Sequence, residues 1–512
     1  MDRKLKKLPI GIHTLSEIIE ENYLYVDKTK YVFNLISEGK TYFLSRPRRF
    51  GKSLLITTLE EIFKGNKDLF KGLWIHDSDW KWEKFPVIRM DFSKQNATQP
   101  DDLIAHITKH LNLQAAHYGI SLSTGKYYEQ FEQLIRELSA QGKVVILIDE
   151  YDKPIIDHLT NIPLAKQMRD ILKGFYTVMK GMDAHLKFVL LTGVSKFSKA
   201  GVFSELNHLD DITMNPNYSG MLGITQHELE CDFAQYIELI CEDRKWNTKD
   251  FMHQMQEWYN GYCFSDECTR VYNPFSVLLF FRNKRFSNYW FESGTPTFLI
   301  DIMKSKNYSI SEIPTTVEAM SFSTYELENL DIIPLLFQTG YLTLKTYHPD
   351  TMLFTLDYPN LEVKKSFLSY ILKAYSRQIS PVASVYLLIA ALRSQDFDKF
   401  FQIMKSFFKE IPYDLHLDYE KYYQTIFYTI FQLMGLEILT EFKLSDARID
   451  VVVKDSAIFI LEFKFNQTKE VALQQIKEKK YFEPWLNKGK DIYLAGVNFQ
   501  DKNIEGWVVE KV

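Results

Sequence analysis

The sequence predicts an α/β protein in three parts: an N-terminal domain carrying a phosphate-binding loop on a parallel sheet, a mostly helical middle, and a C-terminal α/β domain. Three observations carry that reading. Near-continuous apolar runs alternate with helical stretches over residues 1–215, the pattern of parallel strands covered on both faces. The stretch TYFLSRPRRFGKSLLITTLEEIF (41–63) joins a β-rich strand to a helix through a loop ending in Gly-Lys-Ser. Beyond residue 410 the order is helix, three strands, helix, two strands. A chain of 512 residues exceeds one hydrophobic core, and changes of character divide it at 1–215, 216–409 and 410–512. A composition of 46% hydrophobic and 15% aromatic residues argues for well-filled cores, and 21 Gly and 16 Pro leave little room for long linkers.

Strands are expected at 41–46, 86–93, 143–151 and 186–196, each β-rich and each followed by polar or helix-forming sequence. The first leads into the loop Arg46-Pro47-Arg48-Arg49-Phe50-Gly51-Lys52-Ser53. In a loop of this kind Gly51 lets the backbone approach a phosphate, Lys52 reaches the β- and γ-phosphates, and Ser53 holds Mg²⁺. Arg46 stands where the first glycine of G-x-x-x-x-G-K-[ST] is expected. Pro47 pre-sets the turn instead, and Arg46, Arg48 and Arg49 add positive charge beside the phosphates.

Alone, a Gly-Lys-Ser at a helix start is not rare. The strand of VVILIDEYDKP adds a second element. Asp149 at its end would join the Mg²⁺ shell, and Glu150 would orient or deprotonate the attacking water. Strands often end in acids, so it is the pair in this order, with PVIRMDFS between them, that is specific. At the end of the fourth strand, LLTGVSKFS, Thr192 or Ser195 is either a polar sensor of the γ-phosphate or a turn cap.

SRPRRFGKS, VVILIDEYDKP and LTGVSKFSKAGVFSELNHLDDIT closely resemble the bacterial AAA-ATPase-like family, which carries a PD-(D/E)XK-type nuclease domain at its C-terminus. In that family the loop is usually RPRRFGKS itself, so the missing first glycine follows the family's pattern. The resemblance covers essentially the whole chain. It includes NGYCF, YNPFSVL and SGTPTFLI in the middle, to which it assigns no role. It implies an AAA-like fold for the first domain and ATP binding with hydrolysis. No arginine finger is identifiable, and one would come from another subunit of a homo-oligomer.

The C-terminal part holds Asp450 in ARIDVVV and the pair Glu462-x-Lys464 in IFILEFKF. Residues i and i+2 of a strand share a face, so Glu462 and Lys464 point one way and Phe463 the other, and a hairpin brings Asp450 to the same patch. Two carboxylates that hold Mg²⁺ and a lysine that positions water are the set metal-dependent phosphodiester cleavage needs. E-x-K by itself is an ordinary solvated strand face; with Asp450 a dozen residues upstream and this element order it resembles the PD-(D/E)XK core, a restriction-endonuclease-like fold. Glu420 on the preceding helix would supply a further carboxylate, and Gln475 on the following helix would orient water or a phosphate.

Together these readings predict an ATP-binding protein, an ATPase with Mg²⁺ coupled to a metal-dependent nuclease acting on DNA or RNA. The alternative is an ATP-dependent switch or scaffold whose nuclease-like domain only binds partners or nucleic acid. A net charge of −5 gives no general attraction to nucleic acid, and residues 411–512 carry slightly more acids than bases, with no basic stripe. The four cysteines form no CxxC pair and have no zinc spacing. No signal peptide is visible, and the apolar runs are far shorter than a membrane span, so a cytoplasmic protein without a membrane partner is expected.

Overall fold

The computed structural model describes the chain except residues 1–4, 197–208, 293–296, 307, 309, 311–312, 314, 323–330, 377–380, 410–418, 436, 444–447, 487–488 and 501–502; at 292, 297, 305, 320, 381, 419–424, 437–443, 448–450 and 465 it describes the backbone alone. By compactness the chain forms two units, residues 1–298 with 314–364, and residues 299–313 with 365–512. Composition drew its boundaries elsewhere, at 215 and 409, because a change in helix content need not coincide with a break in packing.

The first unit is centred on five strands: β1 (Thr41–Ser45), β2 (Val87–Asp91), β3 (Val144–Asp149), β4 (Leu186–Gly193) and β5 (Asp210–Asp211). They lie in the order β2-β3-β4-β1-β5, and every neighbouring pair is parallel. The strands carrying the loop and Asp149 are therefore not adjacent; β4 lies between them. β1 and β3 are buried at every position, which is why they read as near-continuous apolar runs. Helices α1 (Lys52–Phe63), α2 (Pro100–His117), α3 (Tyr127–Leu138) and α4 (Ile162–Gly181) complete this α/β core, with Phe131 of α3 stacked on Phe175 of α4 at 4.1 Å.

The rest of this unit is mostly helical. Its core gathers Phe233, Phe251, Tyr259, Phe280 and Phe281, the last two from α5 (Pro274–Asn283). Asn273 caps α5 by accepting from Ser276 N at 3.1 Å. Two small sheets interrupt the helices. β6 (Ile224–Thr225), β7 (Tyr262–Cys263) and β8 (Arg270–Tyr272) form one; β9 (Thr315–Glu318), β10 (Thr343–His348) and β11 (Leu353–Asp357) form the other. The β10–β11 hairpin is the strand pair expected around GYLTLKTYHPDTMLFTLDYP.

The second unit is built on the sheet β12 (Glu437–Lys443), β13 (Arg448–Lys454), β14 (Ile458–Phe465), β15 (Ile492–Gln500) and β16 (Asn503–Lys511), whose strands lie side by side in chain order. All pairs are antiparallel except β14–β15. That parallel pair is joined by the crossover helix α7 (Lys469–Glu478); α6 (Tyr419–Leu433) precedes the sheet. The two faces are sorted by strand alternation. Phe463 meets Phe427 of α6 at 4.7 Å. The other face offers Ile458, Ile460, Ile492 and Leu494 to Leu473 and Ile476 of α7. Among the described residues no helix is long and apolar enough to cross a membrane.

Candidate functional site

The loop after β1 is held by its own residues and by distant ones. Gly51 has φ +95° and opens α1, a left-handed conformation that glycine adopts without strain. Phe50 is buried and meets Tyr262 and Phe264 edge-on at 4.8 and 5.5 Å. The carbonyl of Arg48 accepts from Trp290 Nε1 at 3.0 Å. Pro47 lies so close to Gly340 that a Cβ there would come within 2.7 Å of it.

Arg46 differs from its sequence reading as a charge beside phosphates. It is 1% exposed; its guanidinium lies 4.2 Å from the Phe264 ring centre and donates to the carbonyls of Ser45, Thr213 and Tyr218 at 2.9, 2.7 and 3.3 Å. A buried cation persists only where acceptors meet it; these are carbonyls at the end of β1 and after β5, so Arg46 ties the start of the loop to the chain beyond β5. Arg48 and Arg49 are exposed, and the Arg49 guanidinium lies 4.9 Å from the Phe275 ring centre.

Lys52 is buried, and Nζ donates to the carbonyls of Arg46 and Pro47 at 2.9 and 3.1 Å. Burial pulls its pKa down, opposed by the charges of Glu150, Asp149 and Asp152. Ser53 follows on the first turn of α1, half-buried. Asp149 is buried at the end of β3 and accepts from Thr192 Oγ1 at 2.7 Å. Glu150, next along, has φ +51° and is half-buried.

Asp152 was not singled out by sequence, although an acid just before Lys-Pro at a helix start was a visible capping signal. It is buried and accepts from Val194 N at 3.0 Å, Ser195 N at 2.6 Å and Ser195 Oγ at 2.9 Å. Thr192 and Ser195 thus each bind a carboxylate of the β3 end. Gly193 between them admits nothing larger, because a Cβ would lie 2.6 Å from Tyr151 Cε1 and 2.7 Å from Asp152 Oδ1.

Beside Gly51 an apolar cavity of about 120 Å³ opens, with Tyr25, Val26, Leu54, Met221, Ile224 and Leu278 in its wall.

In the second unit the register places position 450 opposite Glu462, and Glu462 beside Gly496. The next rung holds Arg448, Lys464, Asn498 and Gly506. Both rungs continue the face that α7 covers, just where the apolar residues stop. Glu462 is fully buried, and Lys464 Nζ lies 3.1 Å from its Oε1. Neither Glu462 oxygen makes a well-formed hydrogen bond to a described group, nor does Gln475 Nε2 or Asn498 Oδ1, both atoms buried. Among the described residues of 437–512, these four are the buried side-chain polar atoms without a well-formed hydrogen bond. The side chains of Asp450 and Glu420 lie outside the described residues; their backbones sit in β13 and at the start of α6. No group of three or more His, Cys, Asp or Glu side chains suited to a metal occurs among the described residues. Asn498 and Gly496 went unread in the sequence; the alternation of IYLAGVN, in register with IFILEFK, was the signal.

Residues 9–203 match the family model described as "Predicted AAA-ATPase", and residues 418–507 match that of the PD-(D/E)XK nuclease superfamily. A protein of Azotobacter chroococcum mcd 1, described as "Uncharacterized protein in vnfD 5'region", is 38% identical over 99% of this chain and 99% of its own. The solved ORC2 protein of Aeropyrum pernix, in ADPNP–ADP complexes, aligns at 11% identity over 67% of this chain and 93% of its own, with a TM-score of 0.26; a likeness that loose carries nothing further. Two domain models matched in order, and a relative that this close similarity spans almost completely, make the chain a member of the AAA-ATPase-like family with a C-terminal PD-(D/E)XK nuclease superfamily domain.

Proposed function

We propose that the chain binds and hydrolyses ATP with Mg²⁺ at the N-terminal loop and uses that cycle to control metal-dependent phosphodiester cleavage at the β13–β14–β15 rungs. The observation that carries the reading is the fully buried Glu462 carboxylate, which faces the Lys464 ammonium at 3.1 Å but makes no well-formed hydrogen bond to a described group. Burying a carboxylate with lone pairs unsatisfied is costly, and a hard divalent cation is the ligand that carboxylate oxygens suit. Glu462 and Asp450 would hold it, with Glu420 as a further carboxylate. Bound there, the ion supplies Lewis-acid polarisation of the phosphate and a water of lowered pKa. Lys464 would offset charge on the scissile phosphate, and the Gln475 amide would orient the water or the phosphate.

At the nucleotide site Lys52 would exchange its two loop carbonyls for phosphate oxygens. Arg48 and Arg49, being exposed, would add charge beside them. Ser53 and Asp149 would hold Mg²⁺, Glu150 would orient the attacking water, and Thr192 or Ser195 would report the γ-phosphate. The apolar cavity beside Gly51 supports a base bound next to the loop.

The test is cleavage of linear, circular and single-stranded DNA, and of RNA, with Mg²⁺ or Mn²⁺, with and without ATP. The parent chain is run beside Lys52→Ala and Asp450→Ala. Cutting stimulated by ATP and lost in both variants is expected. Phosphate release with no cutting under any condition would overturn the nuclease half. It would leave an ATP-dependent switch whose second domain binds partners, the reading that the acid excess of 411–512 favours.

A further inference from the structure

Asn498 belongs to none of the motifs that identify the two domains. It pairs in register with Lys464 on the neighbouring parallel strand, so the two side chains leave the same face one strand spacing apart, about 4.8 Å. Its Oδ1 is buried and accepts nothing from any described group. The β15–β16 register shifts directly after it, between Asn498 and Phe499, and such irregularities re-aim the side chains beside them. Its own partner on β16 is Gly506, and the partner of Glu462 is Gly496. Neither glycine puts a side chain between the strands and Lys469 above; a Cβ on Gly496 would lie 2.2 Å from the Lys469 carbonyl.

Lys464 Nζ is 3.1 Å from Glu462 Oε1. A divalent cation taken up by Glu462 competes with that ammonium for the same carboxylate, and two positive charges a few ångströms apart in a buried site repel strongly. Resting on the nuclease reading above, we propose that Asn498 is a positioning residue. Its Oδ1 accepts a hydrogen bond from Lys464 Nζ when the cation occupies Glu462, so the ammonium stays at the centre without blocking the metal. A neutral amide suits this task, since it takes up the lysine without drawing the cation away.

The experiment needs no catalysis. Mn²⁺ is titrated into the full chain without nucleotide or nucleic acid, and free Mn²⁺ is followed by electron paramagnetic resonance. Glu462→Gln defines the site: if the parent shows no binding lost in that variant, the nuclease reading fails and the proposal with it. Where such binding exists, Asn498→Ala is expected to weaken it about three- to tenfold, the scale of one hydrogen bond. Asn498→Asp, which keeps the acceptor, is expected to lose less than Asn498→Ala. In a Lys464→Met background Asn498→Ala is expected to change nothing, because the lysine it serves is gone. An equal loss in both backgrounds, or no loss in the parent background, overturns the proposal while leaving the metal site intact.

Discussion

Lys52 donates to the carbonyls of its own loop, Arg46 O and Pro47 O, so its side chain is already drawn into the curve that phosphates would fill. Lys52→Ala is expected to weaken ATP binding at least tenfold with little change in folding, checked by calorimetric titration of the full chain; parent-like affinity would remove Lys52 from the site. Asp152 makes a different kind of prediction. Burial pushes its carboxyl from 3.8 up to about 6, against the pull of the Ser195 bonds. With the folded pKa above the unfolded one, its contribution to stability is fully present below about pH 4 and is lost as pH rises through about 6. The loss amounts to roughly 3 kcal/mol. Asp152→Asn cannot titrate, so thermal midpoints of the parent should fall relative to the variant between pH 4 and 6.5 and run parallel above; parallel curves throughout would show that Asp152 does not titrate in this range. Gly51, Lys52, Asp149, Glu462 and Lys464 stand out in the sequence because each sits in a short pattern whose chemistry is local. Arg46 and Asp152 were not read for what they do, since their partners, Thr213, Tyr218, Val194 and Ser195, lie far along the chain and only the fold makes them neighbours.

The strands were the most legible elements. The central ones of the parallel sheet, β1, β3 and β4, are buried almost throughout, and the expected strands run at most three residues past either end of the observed ones. The order within the sheet was less legible: the strand that separates β1 from β3 is β4, which follows both in the chain, not the β2 that lies between them in sequence. The C-terminal elements appear in the expected order; the second helix ends at Glu478 and is followed by a short 3₁₀ turn at Glu483–Trp485. There the critical packing is that of α7 on β15, where Gly496 meets the Lys469 carbonyl and the Leu473 amide. Gly496→Ala must lift the helix from the strand. It is expected to cost about 1–3 kcal/mol and to lower Mn²⁺ affinity, while ATP affinity stays at the parent level. A loss of ATP affinity of the same size would mean general unfolding instead.

For the molecule as a whole, the braces on the nucleotide loop come from outside the stretch that matches the ATPase model, residues 9–203. Phe264 lies under Arg46 and Phe50, Trp290 holds the Arg48 carbonyl, and Gly340 receives Pro47. A fragment of residues 1–215 is therefore expected not to bind ATP, and a fragment of residues 1–364 to bind it like the full chain. Binding by the shorter fragment would show the braces to be dispensable. The extent of that dependence was not legible in sequence, where NGYCF and the stretch before SGTPTFLI offered no chemistry and so no reason to be near the loop.

The same arrangement sets a timetable. A ribosome adds about 5–20 residues per second, so Gly340 emerges on the order of 15–60 s after Ser53. Throughout that interval the nascent chain displays its Gly-Lys-Ser turn without the complete set of residues that shape it. With ATP bound at this loop as proposed, nucleotide would become a ligand only late in synthesis, and a product cut short by a broken message would stay silent toward ATP instead of becoming an unregulated consumer of it.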